Sequence, residues 1–335
     1  MEYRILGKTG LKISRLGFGG IPIQKIDAEG TKRLMLRLKA EGINYIDTAR
    51  GYTVSEEYLG YALEGIRQDF IIATKSMSRT KEAMAADIDI SLKNLRTDYI
   101  DLYQVHNATP EQVEQVMAPG GALEALLEAK AAGKIGHIGL TAHSMETFKM
   151  ALDLPWVETF MFPYNIVETQ AEKLIAECAK RNNGFIDMKP LAGGAIEDAT
   201  LALRYMCAND AVTVVIPGMA EIKELEQNLA AVNDTAPITS EEKAAFLEVR
   251  NQLGTNFCRR CNYCQPCAAG INISGCFLFD GYLQRYGLGE WAKGRYDAMP
   301  KHAGDCIGCG ACEARCPYNL PIRDMLKKVA ERFGK

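Results

Sequence analysis

Between about Ser14 and Asn233, eight short apolar runs alternate with amphipathic stretches of ten or more residues, the pattern of repeated β/α units. The strand candidates are ISRLGFG, INYIDT, FIIATK, YIDLYQVH, KIGHIGLT, ETFMF, FIDMKP and VTVVIPG, with helical segments such as AADIDISLKNLR, GALEALLEAKAAG and AEKLIAECAKRNNG between them. A single unit of this kind constrains little, because a short apolar run suits a buried strand or a buried helix. Eight in succession predict an α/β fold, a closed (β/α)8 TIM barrel of parallel strands covered by their crossover helices. Gly133 and Gly184 stand where helix C-caps are expected, and Thr169, Thr239 and Ser240 where N-caps are expected.

A barrel of roughly 250 residues does not use up the 335 present. The composition changes where the barrel pattern ends. Nine of the 11 cysteines fall between Cys258 and Cys316, leaving only Cys178 and Cys207 earlier, in helical patterns that suit buried small apolar residues. From residue 251 onward 12 Lys and Arg face 7 Asp and Glu, a surplus of five positive charges on a chain whose net charge is -3. The expected organisation is therefore a barrel over 1–250 and a small, mainly helical domain over 251–335.

With 47% hydrophobic and 24% charged residues the chain has material for a sizeable core. It contains no uncharged apolar run of about 18 residues, and MEYRILGKTG is too charged for a signal peptide, so a cytoplasmic protein without a membrane partner is expected. The acidic balance gives no general attraction to nucleic acid. In a reducing compartment, closely spaced cysteines read as metal ligands rather than disulfides.

CIGCGACEARCP, from Cys306 to Pro317, has the C-x2-C-x2-C-x3-C-P spacing of bacterial 4Fe-4S ferredoxins. CRRCNYCQPC, from Cys258 to Cys267, repeats it with a shorter last interval. Zinc is the alternative metal, but four cysteines at such spacing, twice over, exceed what a zinc ribbon requires. In two-cluster ferredoxins the fourth cysteine of each run ligates the other cluster. By that analogy Cys258, Cys261, Cys264 and Cys316 hold one 4Fe-4S cluster and Cys306, Cys309, Cys312 and Cys267 the second, with Cys276 a substitute for Cys267. A purely structural role for the clusters stays open.

Catalytic groups of such barrels project from the C-terminal ends of strands. Asp47, Lys75 and His106 end the second, third and fourth strand candidates, and Tyr52 lies in the loop after the second. Each alone is as ordinary as a solvated charge or a packing residue. Together, on adjacent strands, they form a candidate catalytic set.

The motifs YRILGKTGLKISRLGFGG, IDTARGY, ATK and DLYQVHN, in that order, resemble the aldo/keto reductase family over roughly residues 1 to 235. The resemblance implies that Tyr52 is the general acid, that Lys75 and Asp47 form the pair that tunes it, and that His106 orients a substrate carbonyl. A cation beside a tyrosine lowers a pKa that is ordinarily near ~10, which makes proton donation to a developing alkoxide feasible.

The family also implies a nicotinamide site. PLAGG, with Leu191 and Gly193, and IPGM, with Gly218, follow the seventh and eighth strand candidates, where barrels build phosphate sites; simple tight turns are the alternative. Asn228 matches the adenine-contacting asparagine of the family, and Thr141 retains a hydroxyl for the carboxamide. Ala142, Met161 and Met188 replace the family's polar and aromatic contacts to the ring. Gly218, Met219 and Glu224 replace the Lys, Ser and Arg of NADPH-dependent members. A carboxylate suits a ribose 2′-OH, so NAD(H) is expected rather than NADP(H).

The leading expectation is an iron-sulfur oxidoreductase that interconverts a small carbonyl and an alcohol, with electrons passing through 4Fe-4S clusters, a nicotinamide, or both. A Schiff-base lyase using Lys75, and an electron-transfer or redox-sensing protein on a non-catalytic barrel, are the alternatives. The basic residues Arg259, Arg260, Arg315, Lys327 and Lys328 read either as a docking face for an acidic electron carrier such as a ferredoxin or as a solvated surface.

Overall fold

The computed structural model describes residues 1–254, 256–260 and 262–335. They form two compact units. The first comprises Met1–Asn165, Thr169–Pro190 and Asp198–Ile238; the second comprises Ile166–Glu168, Leu191–Glu197 and Thr239–Lys335.

The first unit opens with a hairpin, β1 (Tyr3–Ile5) paired antiparallel with β2 (Lys12–Ser14). Eight parallel strands follow: β3 (Phe18–Gly19), β4 (Tyr45–Asp47), β5 (Ile71–Ser76), β6 (Ile100–Val105), β7 (Ile135–Thr141), β8 (Thr159–Pro163), β9 (Gly184–Met188) and β10 (Val214–Ile216). Each pairs with its neighbours in chain order. Closure comes from bridges Leu16 to Val215 and Gly19 to Gly218, reinforced by the Gly17 amide on Val215 O at 2.8 Å and the Gly19 amide on Pro217 O at 2.9 Å. The eight-unit reading thus matches a closed (β/α)8 barrel. The first strand candidate is the exception, because ISRLGFG is divided between the hairpin and a two-residue barrel strand.

The helices of this unit are α1 (Ala28–Ala40), α2 (Ser55–Ala62), α3 (Lys81–Asn94), α4 (Pro110–Met117), α5 (Ala122–Ala131), α6 (Met145–Leu152), α7 (Glu172–Lys180), α8 (Ala199–Cys207) and α9 (Ile222–Asn233). Gly133 ends α5 at φ 73°, and the Lys134 amide returns to Ala129 O at 2.9 Å, the closure that a left-handed residue permits. Asn182, at φ 55°, plays that part for α7, while the expected cap Gly184 is the first residue of β9. The N-cap of α7 is Ala171 rather than Thr169, whose carbonyl accepts from the Glu172 amide at 3.2 Å.

Leu6 and Ile13, from the hairpin, join Tyr45, Ala73, Leu102, Met161, Ile186 and Val214 in one buried cluster, so the hairpin plugs the N-terminal end of the barrel. Gly184 is required there, because a Cβ on it would lie 2.6 Å from Leu6 Cδ1. Polar groups for chemistry are left to the opposite, C-terminal rim.

The second unit contains α10 (Ser240–Leu253), α11 (Ile273–Gln284), α12 (Gly289–Asp297), α13 (Ala311–Ala314) and α14 (Ile322–Phe333). Thr239 caps α10 in a reciprocal box with Glu242. Its core gathers Ile271, Ile273, Tyr296, Leu320, Leu326, Val329 and Phe333 with Cys264, Cys276 and Cys312. Among the described residues, no helix is long and apolar enough to cross a membrane.

Candidate active site and cluster region

Parallel register brings the catalytic candidates together. Asp47 ends β4 beside Ala73, and Lys75 in β5 pairs with Gln104 in β6, so three neighbouring strands converge. Lys75, 2% exposed, donates from Nζ to Asp47 and to Thr48 O at 2.8 Å. Gln104 Nε2 donates to the other Asp47 oxygen at 3.3 Å. Burial pushes the Asp47 carboxyl up and the Lys75 ammonium down, and their mutual attraction opposes both shifts.

Lys75 Nζ lies 5.0 Å from the centroid of the Tyr52 ring, and the His106 ring meets Tyr52 edge-on at 6.1 Å. His106 is half-buried, and its Nδ1 has no hydrogen-bond partner among the described residues. Burial, followed by the charges of Lys75, Arg79 and Lys189, holds this imidazole well below its ordinary range and hence neutral. The four residues can therefore present a phenol, a neutral imidazole and a buried cation to a single oxygen atom.

Three further rim residues were not singled out in the sequence. Arg79, in the loop after β5, donates to His106 O at 2.7 Å, to Asn107 O at 3.4 Å and to Gln112 Oε1 at 3.2 Å. His143, after β7, and Lys189, after β9, are joined at 2.9 Å. Lys189 lies as close to its strand end as His106 does, and His143 one residue further, so the rule that picked out His106 also reaches them.

The nicotinamide candidates are less convergent. Thr141 is buried and its Oγ1 accepts from the Asn107 amide at 2.8 Å. Ala142, Met161 and Met188 add no hydrogen-bonding side chain, so one polar contact is offered where the family uses several. Gly218 lies against Pro22, with a Cβ predicted 2.7 Å from Pro22 Cγ, and so has a packing reason to be glycine. Leu191 and Gly193 belong to the second unit, where Leu191 O accepts from the Gly194 amide at 2.8 Å in a turn.

Glu224 caps α9, accepting from the amides of Ala220 at 2.7 Å and Glu221 at 3.0 Å. The carboxylate thus occupies the helix N-terminus, where a phosphate would otherwise bind. Asn228 is buried on the same helix. These residues do not fit a firmly held nicotinamide ring, and at the α9 end they disfavour a 2′-phosphate.

The cysteine candidates fall differently. Cys267, Cys306, Cys309 and Cys312 line one small cavity, so the donor set and its enclosure fit a 4Fe-4S cluster. Among the described residues no three His, Cys, Asp or Glu side chains are gathered for a single metal ion, and a four-iron cluster spreads its thiolates wider than one ion does. Cys276 is fully buried in the helical core, its thiol pushed up to about 12 by burial. Cys258, Cys264 and Cys316 belong to or pack against that core, while Cys261 lies outside the described residues.

Arg259 corrects the expected docking face. It is buried, donates to Val167 O at 3.3 Å and Gly254 O at 3.1 Å, and its guanidinium stacks 3.9 Å from the Tyr318 centroid. Arg260 likewise turns inward toward Glu168 at 3.4 Å. Lys327, Lys328 and Arg315 stay exposed.

Comparison with known proteins follows the same division. The family model described as aldo/keto reductase matches residues 15–200, and that of a 4Fe-4S dicluster domain matches residues 257–321. L-galactose dehydrogenase of Arabidopsis thaliana is 28% identical over 307 residues, 74% of this chain and 95% of its own length. The aldo-keto reductase YhdN of Bacillus subtilis is 34% identical over 205 residues, 54% of this chain and 59% of its own. A solved aldo-keto reductase of Bacillus halodurans, in its holo form, is similar at a TM-score of 0.65 and 28% identity, covering 74% of this chain and 96% of that one.

Proposed function

The chain belongs to the aldo/keto reductase family, and from that membership we propose that it interconverts a carbonyl and an alcohol with electrons carried by 4Fe-4S clusters. The observation that carries the reading is the buried Lys75–Asp47 pair beneath Tyr52, with neutral His106 beside it.

Reducing a carbonyl to an alcohol adds two electrons and two protons: one proton reaches the carbon, from water when the electrons arrive singly or with them as the hydride of a nicotinamide, and the other reaches the oxygen. Tyr52 donates the proton that ends on the substrate oxygen, and the Lys75 ammonium stabilises the phenolate left behind. Asp47 and Thr48 O fix that ammonium in place. His106, being neutral, donates to the same oxygen without competing for its proton. The clusters supply electrons one at a time when bound, and Cys267, Cys306, Cys309 and Cys312 are the residues that would hold one of them. The sparse nicotinamide contacts favour the clusters as the electron source.

The lyase alternative needs a neutral Lys75 amine free to attack a carbonyl, whereas this ammonium is engaged by a carboxylate and a carbonyl. Anaerobic turnover of a panel of aldehydes and ketones by the chemically reduced protein tests the proposal. Tyr52→Phe should lower the rate by about 10²- to 10⁴-fold with the cluster spectrum unchanged. Undiminished turnover in that variant, or a borohydride-trapped adduct on Lys75, would overturn it.

A further inference from the structure

A cavity of 260 Å³ opens in the second unit between residues 256–260 and the helices α11 and α14. Its floor is apolar, built from Phe257, Phe277, Leu278, Met325 and Val329. Of the described cysteines Cys258 reaches it, while Cys264 and Cys316 do not, so it is not the cradle of that run's cluster. At about 30 Å³ per water it holds the volume of about nine waters, too little for a dinucleotide and enough for a small organic molecule.

The rim of this cavity is basic. Arg260, Arg285, Lys328 and Arg332 line it, against one carboxylate among the described lining residues, Asp280. Arg332 engages both oxygens of that carboxylate, at 2.6 Å through Nε and 2.7 Å through Nη2, and Gln284 Nε2 adds a bond at 2.6 Å, so Asp280 is committed. Arg260 directs Nη2 to the buried Glu168 at 3.4 Å, and its own buried Nε has no hydrogen-bond partner among the described residues. Arg285 donates from Nε to Gly193 O at 2.8 Å, a neutral oxygen, and the like charges of Arg260 and Arg332 act on it. Arg285 and Lys328 are both exposed at the rim. Cations gathered this closely over apolar walls repel one another, and an anion among them relieves that cost.

We propose that the cavity is a second ligand site, which takes a small amphipathic monocarboxylate with its chain or ring on the apolar floor and its carboxylate on Arg285 and Lys328. The site belongs wholly to the second unit and does not depend on the carbonyl/alcohol reading. A guanidinium fork matches the two oxygens of a carboxylate. Phosphate is disfavoured, because α11 and α14 line the cavity beyond their first three residues and so bring none of the free N-terminal amides that phosphate sites recruit. Its heavier hydration would also be lost against an apolar floor.

The test is equilibrium binding to the full protein, prepared anaerobically and followed by calorimetry. Hexanoate and phenylacetate would be titrated beside hexanamide, phenylacetamide and inorganic phosphate. At least one acid should bind roughly 10- to 150-fold more tightly than its amide, the range expected for a charge-assisted hydrogen bond. The double variant Arg285→Gln, Lys328→Gln, altered at exposed positions, should abolish that preference and leave amide affinity unchanged. Met325→Trp, which fills the floor from a half-buried position, should instead weaken acid and amide alike. Equal affinity for acid and amide, no binding of any probe, or an undiminished preference in the double variant would overturn the proposal. So would unaltered binding in Met325→Trp, or tighter binding of phosphate than of either acid.

Discussion

Arg315, from the second cysteine run, donates through Nη2 to the carbonyl oxygen of Cys264 in the first at 2.8 Å. The same guanidinium reaches Pro266 O at 2.7 Å and Gln265 O at 3.2 Å, and its Nε reaches Ala311 O at 3.1 Å. Charge-assisted bonds of this kind are worth about 1.5–3 kcal/mol each, and only a planar fork can serve several carbonyls together. Arg315→Gln should speed iron loss to a chelator under anaerobic conditions, and Arg315→Lys should recover only part of the difference. Identical rates in all three proteins would show that the tie is dispensable.

Anaerobically purified protein should contain about eight iron and eight sulfide per chain, from two clusters of four. Cys309→Ala, which removes one member of the cavity-lining set, should lower both toward about four while the thermal transition of the barrel is kept. A value near four in the unmodified protein would refute two clusters.

The Lys75–Asp47 pair is predicted to be a functional rather than a stabilising feature. Lys75→Met leaves a buried carboxylate without its cation and should cost about 3–5 kcal/mol in chemical unfolding. The double variant Lys75→Met, Asp47→Leu should recover most of that loss yet stay inactive. A double variant as unstable as the single would contradict the argument.

His106 carries a pH signature. The unfolded chain protonates this residue near pH ~6.5, whereas the folded chain holds it well below its ordinary range, so below that pH the unfolded state binds more protons. Stability should fall as pH drops through the unfolded value, by up to about 1.4 kcal/mol per pH unit, and His106→Asn should flatten that limb. Parallel pH profiles for the two proteins would exclude His106 as the source.

The Glu224 carboxylate fills the α9 N-terminus and would repel a 2′-phosphate. NADH should bind roughly 5- to 150-fold more tightly than NADPH, and Glu224→Arg should narrow or invert the ratio. A preference for NADPH in the unmodified protein, measured by titration without oxygen, would refute this reading.

The barrel was legible because eight buried parallel strands leave an apolar run at each repeat, and the cluster region because ferredoxin spacing is encoded in consecutive residues. The hairpin was not, since Tyr3–Ile5 and Lys12–Ser14 are too short for a period of two to register. Asn182 was hidden by Gly184 two residues on, because glycine adopts the left-handed conformation more readily than asparagine. Arg79, His143 and Lys189 are unremarkable one by one in sequence; only strand register makes them neighbours. Arg259 and Arg260 misled for the opposite reason: charge counted along a chain says nothing about which guanidinium stacks on a tyrosine or faces a buried glutamate.

The Leu6–Ile13 plug and the packed side chains above it close the barrel's interior, which leaves the C-terminal rim as the face that meets ligands. Substrate must enter and product must leave by the same doorway, past the same rim residues. Product should therefore behave as a competitor of substrate rather than as a bystander, and any molecule lodged at that threshold would halt traffic in both directions at once.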